Sequence, residues 1–186
     1  VQQVLIGAAM GFTMKLVFAA VLAAGEYIGL QMGLSFASFF DPMNGGATMV
    51  VSRLLNMLAM LIFIAVDGHL MMIEALAASF QTLPVADAPL ASQGWLLLAN
   101  AGGQIFASGL MLSLPLVVAM LTLNLAMGIL NRASPQFSIF AVGFPLTLLA
   151  GIAMLQLLMP HLGQLLVPMF HQGVETMVRV MQALRQ

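Results

Sequence analysis

The stretch GEYIGLQMGLSFASFFDPMNGG, Gly25 to Gly46, sets three glycines four residues apart, then an aromatic run, then a chain breaker. In a helix, Gly25, Gly29 and Gly33 would form one stripe that lets a second helix backbone approach closely. Pro42 disfavours helical conformation in the residue before it, and the Asn-Gly-Gly run after it favours a turn. The stretch therefore predicts a closely packed helix that ends in an aromatic-rich loop.

The composition is that of a membrane protein. Of the 186 residues, 62% are hydrophobic and 6% are charged, and the mean hydropathy is +1.08, well outside the range of an ordinary globular domain. Five basic and six acidic residues give no reason to expect nucleic acid. The absence of cysteine excludes disulfides and thiol catalysis. Trp95 and Tyr27 are the only Trp and Tyr, so interfacial anchors are sparse and we expect much of the surface to pack against other protein.

Apolar segments without strand alternation predict an all-α fold of membrane-class helical hairpins with kinked helices. The run Leu54 to Val66 ends at Asp67 and Gly68 and then resumes, which predicts two short helices around a polar break. Pro115 is expected to kink a long helix, and Pro160 and Pro168 to interrupt the last apolar run. We expect a single domain with four parts: N-terminal helices over 1–80, a loop over 81–94, a long hairpin over 95–172 with its tip at 131–138, and an amphipathic helix over 173–186.

The C-terminal segment VETMVRVMQALRQ differs from the rest because polar and apolar residues separate onto two helical faces. Glu175 and Arg179 stand four residues apart, which suits an ion pair on one face.

Ionisable residues inside apolar sequence are costly in a membrane and often functional. We predict buried ionisable or polar side chains at Lys15, Glu26, Arg53, Asp67, His69 and Glu74. One interpretation pairs them across helices or places them at helix ends, with Asp67 and Gly68 in a turn; the other makes them a polar path for ions or protons. Asn100, Gln104, Asn124 and Asn131 are expected to form hydrogen bonds between helices.

Enzyme chemistry finds little support in the sequence. The histidines His69, His161 and His171 lack the neighbours of a metal motif, and no nucleophile elbow or phosphate-binding glycine loop occurs. We therefore expect no catalytic residue, no metal and no cofactor. The 17 methionines either fill the core or offer an adaptable contact surface.

Four ordered motifs carry a family resemblance: QQVLIGAAMGFTM, GEYIGLQMGLSFASFFDP, GHLMMIEALAASFQTLP and LTLNLAMGILNRASPQFSIFAVGFPLTL. Together they resemble the FliR family of flagellar export-gate membrane proteins and, more distantly, its injectisome counterparts. Members of that family normally carry further hydrophobic helices before the QQ motif. With Val1 as the first residue and no signal peptide evident, we expect the true N-terminus to lie elsewhere.

The resemblance implies one subunit of a helical hetero-oligomeric gate, built with FliP-like and FliQ-like subunits, through which unfolded flagellar proteins leave the cytoplasm. FlhB-like and FlhA-like export proteins are implied as further partners. The implied location is the bacterial inner membrane at the flagellar basal body, with the gate core raised towards the periplasmic side. A hairpin tip is marked by Asn131, Arg132, Pro135 and Gln136.

The resemblance also implies that the loop in the opening stretch is a pore plug. Its residues are Ser35, Phe36, Ala37, Ser38, Phe39, Phe40, Asp41, Pro42, Met43, Asn44, Gly45 and Gly46. An apolar constriction can block ions because it dewets when it is narrow. Two alternatives remain open from the sequence, a small-ion secondary transporter or channel of unrelated fold and a purely structural membrane scaffold.

Overall fold

The computed structural model describes residues 2–34, 50–82, 91–133 and 143–185. These residues are helical apart from short turns and contain no strand, which confirms the predicted all-α fold. The helices are α1 (Gln2–Gln31), α2 (Val50–Ala65), α3 (Gly68–Thr82), α4 (Ser92–Ala133), α5 (Phe144–Leu158) and α6 (Leu162–Arg185). A 3₁₀ turn over Met159–His161 joins α5 to α6.

Among the described residues, the helices long and apolar enough to cross a membrane number three, or four if the bent pair α2–α3 counts as one span. The three are α1, α4 and the run Phe144–Arg185. Each exceeds the roughly 20 apolar residues that a spanning helix requires. The membrane class predicted from composition is therefore matched by the helix lengths.

Backbone contacts divide the chain into two compact units. The first unit comprises Val1–Ala20, Met57–Ser108 and Gly163–Gln186, and the second comprises Val21–Asn56 and Gly109–Leu162. Each unit is assembled from segments that are distant in sequence, so each depends on side-chain packing between helices.

The core of the first unit contains a cluster of three phenylalanines from α1, α2 and α6. The ring of Phe63 lies edge-on to Phe18 and to Phe170, with centroids 5.6 and 5.1 Å away, and Phe18 lies 5.8 Å from Phe170. These distances and the edge-to-face angles fall in the favourable range for aromatic pairs. Phe170 is only 1% exposed. The cluster therefore links three helices by apolar burial.

In the second unit, helices approach closely at glycines. A Cβ added at Gly25 would meet the Ser52 backbone, with Ser52 N at 2.8 Å. One added at Gly151 of α5 would lie 2.5 Å from the Met32 side chain. Asn124 of α4 donates from Nδ2 to the backbone and side-chain oxygens of Gln31, both at 3.4 Å. Hydrogen bonds and small residues thus determine how closely these helices pack. This is typical of membrane helices, because burial of apolar surface does not favour their association in lipid.

The two prolines within long helices do not end them. Pro115 lies inside α4 and Pro168 lies inside α6, so the expectation that Pro168 interrupts the last helix was wrong. Leu166 and Phe170, on either side of Pro168, are 0% and 1% exposed, and this burial offsets the lost backbone hydrogen bond. The C-terminal helix therefore begins at Leu162, before the predicted residue 173.

The predicted break between α2 and α3 is a sharp turn in which the helix axes bend by 66°. Asp67 has a φ of 57°, in the left-handed region that non-glycine residues rarely adopt. Its carbonyl accepts from the Leu70 N–H at 2.9 Å and so starts the next helix. The ring of Phe63 occupies the space that a Cβ at Gly68 would need. This confirms the predicted break between two short helices, with the turn at Val66 and Asp67 and with Gly68 as the first residue of α3.

Asp67→Val is expected to lower the free energy of unfolding by about 1–2 kcal/mol, because a β-branched side chain is strained at positive φ. Asp67→Gly is expected to stay within about 1 kcal/mol of the parent, since glycine adopts this conformation freely. Unfolding of the purified protein in mixed micelles, followed by circular dichroism, measures both. His69→Val, at an exposed helical position nearby, is the control. Equal stability of the Asp67→Val and parent proteins would contradict the prediction.

Candidate functional site

The six predicted ionisable or polar residues do not lie in the core. Lys15, Glu26, Arg53, Asp67, His69 and Glu74 are all exposed in the chain. The prediction that they are buried was wrong because position within an apolar segment does not fix the direction of a side chain. Each helix presents these side chains on its outer face.

The three glycines of the predicted stripe, Gly25, Gly29 and Gly33, have two different structural roles. Gly25 is buried against Ser52, and Gly29 is also buried within α1. Gly33 lies beyond the end of the helix with a φ of 77°. Its N–H donates to Leu30 O at 3.1 Å and the next N–H, of Leu34, donates to Gly29 O at 3.1 Å.

This pair of hydrogen bonds is a Schellman motif, which ends a helix with glycine in the left-handed conformation. The expectation that Gly33 extends the packing stripe is corrected accordingly, because its positive φ serves to stop α1. The helix thus ends directly before the predicted plug loop.

The predicted plug, Ser35 to Gly46, lies outside the described residues, and so do Pro135 and Gln136 of the predicted hairpin tip. Asn131 and Arg132 belong to the last turn of α4, which continues to Ala133. These two residues therefore lead from the helix into the predicted tip. Arg132 is exposed, whereas both polar atoms of the Asn131 amide are buried without a hydrogen-bond partner.

A groove in the first unit is lined by α1, α4 and α6. Its floor includes Thr13, Leu16, Val17 and Ala101, and a cavity of about 50 Å³ lies above it. A Cβ at Gly173 would lie 2.6 Å from Val17 Cγ2, so this glycine lets α6 approach α1. The groove opens into a wider cavity of about 400 Å³. The wider part is lined by Leu97, Asn100, Ala101, Gln104, Gln172, Glu175, Thr176 and Arg179.

The rim of this groove is polar in an otherwise apolar protein. Glu175 Oε1 and Arg179 Nη2 lie 2.7 Å apart, which confirms the predicted i,i+4 pair. The hydroxyl of Thr176 at the rim donates to the Gln172 carbonyl at 2.7 Å, and that of Thr13 in the floor donates to the Ala9 carbonyl at 2.8 Å. Among described residues, no hydrogen bond reaches the side-chain amides of Asn100, Gln104 and Gln172. The groove therefore presents three amides with unused hydrogen-bonding capacity.

Of the four amides expected to join helices, only Asn124 does so within the described chain. Gln172 is not among the residues predicted from the sequence. A signal was present, since Asn100 and Gln104 are four residues apart, as are Gln172 and Thr176, and this spacing places each pair on one helix face. What the sequence does not reveal is that the two pairs line one groove.

No group of three His, Asp or Glu residues in the described ranges is placed to hold a metal ion. The chemistry available in the groove is hydrogen bonding by neutral amides and one ion pair, with apolar contacts at its floor. Such a surface is suited to binding another chain.

The long apolar helices with few charges, together with this polar groove, define an all-helical membrane protein. The model of the family described as "Bacterial export proteins, family 1" matches residues 1–173. The chain belongs to this family.

Similar proteins include the flagellar biosynthetic protein FliR of Pectobacterium carotovorum subsp. carotovorum, 58% identical over 160 residues that cover 86% of this chain and 61% of that protein. The protein of the same description from Escherichia coli strain K12 is 56% identical over 160 residues, with the same two coverages. That from Bacillus subtilis strain 168 is 28% identical over 180 residues, which cover 95% of this chain and 69% of that protein. The chain thus spans about 61% of the length of the first two relatives.

Proposed function

We propose that this chain is part of a subunit of the flagellar type III protein export gate, which forms and plugs the pore for unfolded flagellar proteins. The observation that carries the proposal is the family match over residues 1–173, together with relatives named as flagellar biosynthetic proteins. In this proposal the subunit forms part of the wall of the pore and of its closure, and it catalyses no reaction.

The structure supports membrane residence through its long apolar helices. It supports assembly through the exposed large apolar side chains along several helices, among them Met57, Met111 and Leu157, at 64%, 75% and 72% exposure. A monomer in water rarely exposes so much apolar surface, so these faces meet lipid or other subunits. The proposed partners are FliP-like and FliQ-like subunits, with FlhB-like and FlhA-like proteins, and the proposed location is the inner membrane at the flagellar basal body.

The plug assignment follows from the same proposal. Gly33 ends α1 with a glycine cap, and the sequence of the predicted plug, from Ser35 onwards, carries Phe36, Phe39 and Phe40. Large apolar rings suit a narrow constriction, because such a constriction excludes water and ions while it is closed. The loop can then be displaced when a polypeptide enters.

To test the proposal, the full-length protein is co-expressed with FliP-like and FliQ-like subunits, purified and reconstituted into vesicles. We expect a stable hetero-oligomer from the parent and from a variant that lacks Phe36–Phe40. Only the deletion variant is expected to leak ions, because it lacks the apolar seal. A dye-based ion-flux assay measures the leak.

The matched control deletes five residues, Pro84–Ala88, from the other predicted loop, and is expected to remain tight. A Phe36–Phe40 deletion that assembles and is as tight as the parent would reject the plug. A parent protein that never associates with FliP-like and FliQ-like chains, and purifies alone with a bound ion, would favour a transporter instead.

A further inference from the structure

We propose that the corner between α2 and α3, at Val66 and Asp67, has two states and that the ring of Phe63 selects between them. In the state that the structure shows, the helix axes bend by 66°. In the second state, α2 and α3 run straight as one continuous helix. Packing of Phe63 against Phe18 and Phe170 holds the bent state, so the corner angle follows the packing of α6. The inference concerns this chain alone and does not depend on the proposed export function.

The backbone at the corner departs from a helix at a single residue. The Val66 N–H still donates to the Ile62 carbonyl at 2.9 Å, as in an α-helix, and α3 begins at Gly68. Between them, Asp67 has a positive φ, 57°. The right-handed region is the more stable one for an L-residue, and rotation of Asp67 into it would join the two helices. The local backbone therefore does not hold the bend unaided, and contacts with other parts of the chain are required.

The ring of Phe63 supplies such a contact. It occupies the space that a Cβ at Gly68 would need. Gly68 itself has no positive φ, so its missing side chain makes room for the ring and does not relieve the backbone. The ring is also buried, with the centroids of Phe18 and Phe170 at 5.6 and 5.1 Å. In a straight helix, residues 63 and 68 would point about 140° apart, and the ring could not lie over Gly68. The contact thus exists only in the bent state.

The other side of the ring cluster lies beside a weakened part of α6. Pro168 stands two residues before Phe170 inside this helix, and a proline removes one backbone hydrogen bond and favours a kink. A change in this kink would shift Phe170 relative to Phe63. Loss of that packing frees the Phe63 ring from Gly68, and the corner straightens. The cluster thus transmits a movement of α6 to the angle between α2 and α3.

The experiment measures the corner angle as a distance. Because the chain has no native cysteine, Met57→Cys on α2 and Phe80→Cys on α3, both at exposed positions, give two sites for nitroxide labels in the full-length protein. The helix rise and the 66° bend place the two backbone positions about 29 Å apart, against about 34 Å in a straight helix. Pulsed electron paramagnetic resonance in mixed micelles measures the distance distribution. The doubly labelled parent is expected to show the shorter distance.

Gly68→Ala and Phe170→Leu are introduced separately into the labelled protein. The first adds a methyl group where the ring lies, and the second removes the aromatic contact while it retains much of the apolar volume. In each we expect a second population at a distance about 5 Å longer. Its fraction is expected to rise roughly fivefold over that in the parent, as for the loss of one aromatic contact. His69→Ala, at the exposed position after Gly68, is the matched control and is expected to leave the distances unchanged.

Circular dichroism of each labelled protein shows whether its helices remain. An unchanged single distance in Gly68→Ala and Phe170→Leu proteins that retain the parent's helical signal would overturn the two-state corner. A longer population in Gly68→Ala alone would overturn the link to α6. Phe170→Leu is the milder change, so it decides the outcome if Gly68→Ala does not fold. A longer population in His69→Ala as well would show that the corner opens without regard to Phe63, and it would also reject the inference.

Discussion

Phe170→Ala is expected to lower the free energy of unfolding by about 3–5 kcal/mol, the cost typical of removing a large core ring. Phe170 is 1% exposed and contacts the rings of Phe18 and Phe63. Removing it leaves a cavity where α1, α2 and α6 meet and deletes two aromatic contacts, each worth about 0.5–1.5 kcal/mol beyond the buried area. Neighbouring helices cannot collapse fully into the space because other core contacts hold them apart.

The measurement is unfolding of the purified full-length protein in mixed micelles, followed by circular dichroism. Phe106→Ala removes the same ring from a position that is 68% exposed, and it is expected to change stability by less than about 1 kcal/mol. Two variants of equal stability would show that the aromatic cluster does not support the first unit. Phe170→Leu, which retains much of the apolar volume, is expected to recover a large part of the loss.

Gly25→Ala is expected to destabilise the protein by about 1–3 kcal/mol, the usual cost of overpacking a close contact. The added Cβ would meet Ser52 Cα and lie 2.8 Å from Ser52 N. These are backbone atoms, so relief requires α1 and α2 to move apart. Ser52 is fully buried, and the movement would also loosen the packing around it.

Gly11→Ala on the same helix supplies the matched control. Gly11 is exposed, and nothing lies within 4 Å of its Cβ position. Here alanine is expected to be neutral or to stabilise by up to about 1 kcal/mol, because glycine weakens a helix interior. Thermal unfolding of the two variants in parallel distinguishes packing from helix propensity. If Gly25→Ala behaves like Gly11→Ala, close approach at Gly25 is not required.

Local sequence signals predicted the features that depend on neighbours along the chain. The chain turns at Asp67, directly before α3 begins at Gly68, and Glu175 and Arg179 form their i,i+4 pair. The glycine spacing correctly marked Gly25 as a site of close approach. Gly33 could not be distinguished from Gly25 by spacing, because a capping glycine and a packing glycine differ in φ and not in sequence.

Features that depend on distant residues were predicted less well. Pro168 looked like a helix end, but the buried side chains of Leu166 and Phe170 hold α6 together across it. Methionines also divide by position: Met120 is 0% exposed and Met111 is 75% exposed on the same helix. The side chain of Gln172 lines the same groove as Asn100 and Gln104 only because α6 packs beside α4.

The sequence by itself determined the membrane class, the all-helical fold and the family, because hydropathy, period and ordered motifs are properties of the linear chain. The tertiary structure decided which polar side chains lie inside, since that depends on how each helix is rotated against its neighbours. The six ionisable or polar residues chosen from the sequence are exposed, whereas the hydroxyl-bearing residues Thr13, Ser52, Ser79 and Ser113 are buried. Successive residues of a helix point in directions about 100° apart. Which of these directions faces the core is fixed only by the packing of the helix against its neighbours.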